Sequence, residues 1–328
     1  MLLSVDNSSS LTELPAATVN LPKVAAVVDV LPAVRTALRF GVDAVACAEK
    51  VRFCSTGSEA TLYAMRLARA FTKKDKILKF EGGYHGMGFG GLTVGGIGRN
   101  RRQFGPLLPG ADHLRSVLAI ERNAFSRGLP EYGSELADDL LRIVNVHGAG
   151  KIAAVIVEPI TGAGGVVLPP EGYLHRLREI CTEHGILLIF DEVITGFGRV
   201  GDSCAAKRFG ITPDIITTAK GISNATIPLG GVFVSDAVYD VFQSAPDGIE
   251  LFHGYTYSGH PVACAAGMAT LSIYEKERLF ERGRDAEALW LDSALALREA
   301  PGVIDILSLI HISEPTRPER MCECGLLL

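Results

Sequence analysis

The sequence predicts an α/β protein in which a mostly parallel central sheet is sandwiched by helices. Two observations carry this. The short apolar runs KIAAVIVEP (151–159), ILLIF (186–190), DIITTAK (214–220) and GGVFVS (230–235) lack the polar/apolar alternation of a half-exposed strand, and unbroken β-branched runs mark strands buried on both faces. Longer amphipathic stretches separate these runs, and strands alternating with helices build parallel sheets. In such sheets ligands gather beyond the carboxyl ends of the strands.

The elements follow in chain order. In SEATLYAMRLARAF (58–71), Leu62, Met65, Leu67 and Ala68 recur at helical spacing, and Thr56 with Glu59 matches a capping box. That pair predicts a helix start near Gly57. Gly and Pro concentrate at 82–110 and 159–172, which predicts long site-forming loops. A strand at 151–159, a helix over Glu171–Glu183, and strands at 186–190, 214–220 and 230–235 come next. Residues 262–300 are strongly helical, as one long helix followed by another. Glu158, Asp191 and Lys220 each end an apolar run, so all three are expected along one edge of the sheet.

Composition narrows the partners. A net charge of −5 over 328 residues gives no electrostatic footprint for nucleic acid or an anionic membrane, and no apolar run reaches the roughly 18 residues that span a bilayer. The start MLLSVDNSSSLTELPAA lacks a basic n-region and a long apolar core, so a cytoplasmic location is expected. Seven cysteines without a CxxC pair read as reduced thiols. The histidines show no HExxH or comparable spacing, and no metal site is expected. TVGGIGRN (93–100) lacks the third glycine of a dinucleotide fingerprint, and GxSxG is absent.

Four features carry chemistry. Lys220 follows Ile215 and Ile216 at a strand end, where a desolvated amine has a lowered pKa and can form a Schiff base. Asp191 leaves an apolar strand directly, and a carboxylate there needs a buried cation as partner. STGSEA (55–60) turns into a helix N-terminus, whose unpaired amides suit a phosphate. GGYHG (82–86) places Tyr84, able to stack on a planar ring, and an imidazole in a glycine loop. A phosphate cradle, an aromatic plate, a carboxylate for a pyridinium nitrogen and a desolvated lysine together match the requirements of pyridoxal 5'-phosphate.

From about Ala46 to Val303 the chain resembles the class III pyridoxal-phosphate-dependent aminotransferases, on VRFCSTGSEATLYAMRLARA, EGGYHG, AAVIVEPI, ILLIFDEVITGFGRVG, PDIITTAKGISNATIPLGG and HGYTYSGHPVACAAG. The resemblance implies a fold type I architecture and a homodimer with a shared active site. It implies that Lys220 is the Schiff-base lysine and moves the substrate proton, and that Asp191 pairs with the pyridinium nitrogen. It implies Val193 on the ring face opposite Tyr84, Gly57 and Ser58 on the phosphate, His85 and Glu158 supporting the ring and the Asp191 network, and Thr256 reaching the phosphate of the neighbouring subunit. DEVITGFGRVG and the GYTYSGHP region resemble the ω-amino acid or amine:pyruvate branch, so the implied reaction moves an amino group from an amine or ω-amino acid donor to a 2-oxo acid. VRFCSTGSEATLYAMRLARAFTKKDKILKFEGGYHG is closer to glutamate-1-semialdehyde aminomutase, the alternative, with an inactive remnant as a third reading. Ile194 stands where ornithine and 4-aminobutyrate members of the family have glutamine.

The same comparison divides the chain into an atypical segment (1–45), a large cofactor-binding domain (46–265), a connecting helix with part of a small domain (266–307) and a non-native tail (308–328). The chain is expected to be truncated at both ends. SLIHISEPTRPE within the tail reads as translated sequencing adapter, and the arginine that binds the substrate carboxylate in the family has no assignable counterpart.

Overall fold

The computed structural model describes residues 3–4, 49–243, 251–309 and 312–316. The expectations for the N-terminal segment, apart from 3–4, and for the tail beyond 316 lie outside the described residues. The apolar runs become the strands of one sheet: β1 (Leu3–Ser4), β2 (Lys50–Cys54), β3 (Lys76–Phe80), β4 (Ala111–Leu114), β5 (Ile152–Val157), β6 (Leu187–Asp191), β7 (Ile215–Thr218) and β8 (Gly230–Val234). Their spatial order is β1-β2-β8-β7-β6-β5-β3-β4. The pairs β3–β4, β3–β5, β5–β6 and β6–β7 are parallel, giving the mostly parallel α/β sheet.

One strand departs from the expectation. GGVFVS is not a further parallel strand, because β8 runs antiparallel to both β7 and β2. The β7–β8 connection holds only the short 3₁₀ turn Lys220–Ser223, with no helix to carry the chain back to the other end of the sheet. The double reversal has a consequence for the site. It points β2 the same way as β7, so Cys54 and the turn after it lie at the edge where β5, β6 and β7 end.

Helices cover both faces. On one side lies α1 (Gly57–Thr72), whose Ala60, Ala64 and Ala68 are fully buried. This i, i+4, i+8 row of methyls lets the helix axis approach the sheet closely. They pack with Ile77, Ala154, Ile156, Ile189 and Ile215. The opposite face carries α2 (Asp139–His147) and α3 (Tyr173–Glu183). Leu140, Ile143, Leu177 and Ile180 pack there against Leu78, Val155, Leu188, Phe190 and Ile216. Successive strand residues therefore feed two separate cores, which is why these strands show no alternation.

The region expected as one long helix followed by another is three: α4 (Pro261–Lys276), α5 (Leu279–Asp285) and α6 (Glu287–Leu295). Arg278, in the left-handed conformation, breaks the first from the second. The 82–110 loop contains two short helices, Phe89–Val94 and Gly98–Arg102. β9 (Asp305–Leu309) pairs antiparallel with β10 (Ile312–Thr316), so the first residues of the expected tail form part of a hairpin. Cys54, Cys181, Cys204 and Cys264 are free and buried; Cys47, Cys322 and Cys324 lie outside the described residues.

Candidate active site

Asp191 is the last residue of β6 and is 3% exposed. In register it faces Thr217 on β7, whose hydroxyl donates to Oδ1 at 3.1 Å. The Val193 amide donates to the same oxygen at 3.2 Å. Oδ2 lies 2.7 Å from His85 Nδ1, so an ionised Asp191 requires the proton on that ring nitrogen. The carboxylate is thus fixed in orientation at the carboxyl edge of the sheet.

His85 comes from the glycine loop, and packing explains the loop's position. Thr61 of α1 donates its hydroxyl to the His85 carbonyl at 2.8 Å. Gly86 has φ +100, and a methyl added there would lie 2.3 Å from Ser58 Oγ. Only glycine allows both that backbone and that approach to the helix start. Glu158, just beyond β5, clamps the loop: its Oε1 accepts from the Tyr84 amide at 2.7 Å and its Oε2 from the Gly162 amide at 3.0 Å. Burial pushes this carboxyl up to about 7, with Asp191 adding and His85 and the two amides opposing.

Glu192, beside Asp191, is fully buried but turned the other way. It accepts from the amides of Ala205 and Ala206 at 2.6 and 2.8 Å and from the Thr195 hydroxyl at 2.9 Å. Its carboxylate anchors the helical turn Ala205–Phe209, and burial raises its pKa to about 7 against those donors. The adjacent acids of DEV therefore do separate work, one at the site and one beneath it.

Lys220 follows β7, three residues after the Thr217 that faces Asp191. Its amine has no hydrogen bond or ion pair among the described residues. Although the residue is exposed by area, the surrounding protein desolvates the ammonium and lowers its pKa, while Asp191 and Glu158 raise it and Arg199 lowers it further. Its own backbone is left-handed, with φ +44.

The helix start completes the edge. Thr56 caps α1, its hydroxyl accepting from the Glu59 amide at 3.1 Å. The reciprocal half of the capping box shifts by one residue, since Glu59 takes the Ser55 amide at 2.6 Å instead of the Thr56 amide. The amides of Gly57 and Ser58 have no acceptor among the described residues. A methyl on Gly57 would lie 2.9 Å from Val193 Cγ2, so the helix start and the residue after DE are in contact. Gly230 links the turn to β7 in the same way: its position would bring a methyl to 2.8 Å from the Thr56 carbonyl oxygen and 3.1 Å from that of Thr218.

The structure thus brings Gly57, Ser58, Tyr84, His85, Glu158, Asp191, Val193 and Lys220 to one edge. Thr256 stands apart, exposed on a segment held to the outer flank of α1. There His253 stacks on Tyr63 with ring centroids 4.5 Å apart, and Arg66 donates to the Phe252 carbonyl. Thr217 was missed by sequence reasoning; its signal is the strand register, which puts it beside Asp191 once β6 and β7 pair. A cavity of about 270 Å³ opens beside this cluster without reaching Lys220, lined by Gly82, Arg99, Thr161 and Tyr173 and sharing Glu158.

The profile of the family described as Aminotransferase class-III matches residues 23–307. The chain belongs to that family. It is 51% identical over 268 residues to the omega-aminotransferase of Caulobacter vibrioides, covering 80% of this chain and 61% of that protein. It is 45% identical over 266 residues to the beta-alanine–pyruvate aminotransferase of Pseudomonas aeruginosa, covering 78% and 59%. Among solved structures, an (S)-enantioselective omega-transaminase from Thermomicrobium roseum superposes with a TM-score of 0.78 at 37% identity, over 85% of this chain and 63% of that one. An amine transaminase from an uncultivated Pseudomonas species, in its PLP-bound form, gives 0.79 at 32% identity, over 94% and 70%. The chain spans about 60% of the length of the curated relatives named above. The family match begins within the segment read from sequence as atypical.

The donor set of this chain fits the pyridoxal phosphate of the family. A buried, pre-oriented carboxylate, an amine and two helix-start amides without partners among the described residues, and an aromatic ring on a clamped loop suit the pyridinium, aldehyde, phosphate and ring face of that group.

Proposed function

We propose that this chain carries the cofactor-binding core of a transaminase that moves an amino group from an amine or ω-amino acid donor to a 2-oxo acid, with pyridoxal 5'-phosphate as cofactor. The observation that carries the proposal is the placement, at the ends of adjacent strands, of a rigidly oriented Asp191 and a desolvated Lys220 amine that has no partner among the described residues. When bound, the cofactor supplies an electron sink for the bond broken at the amino-bearing carbon. Asp191 would hold a proton on the ring nitrogen, and His85 and Thr217 keep its carboxylate aligned for that role. Lys220 would hold the cofactor at its aldehyde, and its amine would be the group that takes up and returns the donor's proton; desolvation, which lowers its pKa, favours the neutral form that this role needs. The amides of Gly57 and Ser58 would hold the phosphate, and Val193 and Tyr84 would pack against the ring.

A homodimer belongs to the same proposal. Phe89, Phe252 and Tyr257 are 63%, 82% and 68% exposed on two segments flanking α1. Thr256 lies on one of them, where an exposed hydroxyl can serve a neighbouring subunit's phosphate. Sedimentation velocity should show a dimer that Phe252→Asp shifts toward monomer; a monomer in both would contradict this part.

The central test is spectroscopic. Added pyridoxal phosphate should give the full chain a visible absorption band that Lys220→Ala abolishes, and β-alanine with pyruvate should be the first donor–acceptor pair assayed. Identical spectra for the two proteins would overturn the proposal.

A further inference from the structure

The backbone that carries Lys220 is held in an unfavourable conformation from two sides. Lys220, Asn224 and Ala225 have φ of +44, +49 and +54, left-handed positions that are unfavourable for a residue with a side chain, least so for asparagine. Such a turn persists only where surrounding contacts impose it. Within the turn, the Ala225 amide donates to the Lys220 carbonyl at 2.8 Å.

The imposing contacts converge on Gly221. From one side comes Phe197, itself left-handed at φ +56; a methyl on Gly221 would lie 2.9 Å from its Cβ. From the other side comes α4, where the Tyr274 hydroxyl donates to the Gly221 carbonyl at 2.7 Å. The Tyr274 ring packs on Phe280 of α5 at 5.4 Å, and Phe280 lies against Gly198 in the loop that bears Phe197. About two turns earlier in α4, Gly267 approaches Leu229 and the Ile222 carbonyl. Tyr274 thereby reaches the Phe197 loop through Phe280 and makes a direct polar bond to the residue after the lysine.

We propose that Tyr274 is a positioning residue for the Lys220 amine, fixing the strained turn through its hydrogen bond to the Gly221 carbonyl. Its bearing on catalysis rests on the reading of Lys220 given above. The hydroxyl makes no contact with the amine; it acts by restricting the backbone from which the side chain extends. Without it, the turn gains freedom to relax and the amine to move away from the protein groups that desolvate it.

The test uses the full chain without cofactor. Lys220 is labelled with trace acetic anhydride across a pH series, and the extent is read by mass spectrometry of its peptide. In the wild type the amine should titrate below an ordinary lysine. Tyr274→Phe, which removes one oxygen and keeps the ring, should move the midpoint up by about half a unit or more. Gly221→Ala, pressing on Phe197 from within the turn, should move it in the same direction. Phe280→Leu weakens the ring contact but leaves the hydrogen bond, and serves as a comparator for general loosening. With cofactor added, the visible band should form about tenfold more slowly in Tyr274→Phe.

An unchanged midpoint in Tyr274→Phe overturns the proposal, as does an equal shift in a Phe280→Leu protein of matched thermal stability. The labelling result does not depend on cofactor chemistry. A visible band that survives Lys220→Ala would instead remove the reading of Lys220 while leaving the effect of Tyr274 on the amine to stand on its own measurement.

Discussion

At the residue scale, Asp191 and Glu192 differ by what their oxygens meet. Asp191 is bound by an imidazole, a hydroxyl and one amide at the sheet edge; Glu192 is enclosed by two amides and a hydroxyl below it. Their substitutions should therefore separate binding from stability. Asp191→Asn exchanges a charge-assisted hydrogen bond of ~1.5–3 kcal/mol for a weaker one, so cofactor affinity by spectral titration should fall tenfold to a hundredfold with little change in Tm. Glu192→Gln sets an amide donor among donors that have no other acceptor, at a cost of about 1–3 kcal/mol. Calorimetry should register this as a lower Tm. Equal effects of both substitutions on affinity and Tm would contradict the division. The position of both acids was legible in ILLIFDEV, because a carboxylate leaving a doubly buried strand needs a partner. The sequence also singled out Asp191 as the acid of the site. What Glu192 meets instead was not legible, since its partners Thr195, Ala205 and Ala206 come from a segment that only the tertiary structure folds beneath the strand.

At the element scale, the start of α1 and the segment after β6 are fitted to one another through Gly57 and Val193. Gly57→Ala should lower stability by about 1–3 kcal/mol, the cost of overpacking, and weaken cofactor binding through the displaced amides. Val193→Ala removes the two methyl groups that the new methyl would meet. In a double-mutant cycle, the pair should therefore recover stability relative to the sum of the single changes; strict additivity would show that the contact is not limiting. The capping box was legible as a local signal. Its one-residue shift to Ser55 and the contact with Val193 were not, because both depend on β2 and β6 ending at one edge. That arrangement follows from β8, whose antiparallel course reverses the chain twice between β7 and β2.

At the scale of the whole molecule, the packing of the sheet encloses a lysine on β3. Lys79 on β3 is 0% exposed and donates to the Phe80 carbonyl at 2.6 Å. Burial, with Arg101 adding to it, lowers its pKa to about 6 against Glu81 and Glu158. Between about pH 6 and the ordinary lysine value, the unfolded chain binds a proton that the folded chain does not. Stability should therefore rise with pH across that window by up to about 1.4 kcal/mol per pH unit from this group, and be insensitive to it below. Lys79→Met should remove the slope and raise Tm at neutral pH. A wild-type curve already flat over the window, or one left unchanged by the substitution, would show that Lys79 stays charged inside.

The amino-acid sequence by itself determined the α/β class, the strand-end placement of Glu158, Asp191 and Lys220, and the cap that opens α1. Each of these is written in local periodicity and in the cost of an unpaired polar group. Tertiary structure decided the direction of β8, the partners of Asp191, the separate role of Glu192 and the clamp on Gly221. Those depend on which segments distant in the chain meet, and a pairing register or a hydrogen bond from Tyr274 to Gly221 leaves no periodic trace in either segment.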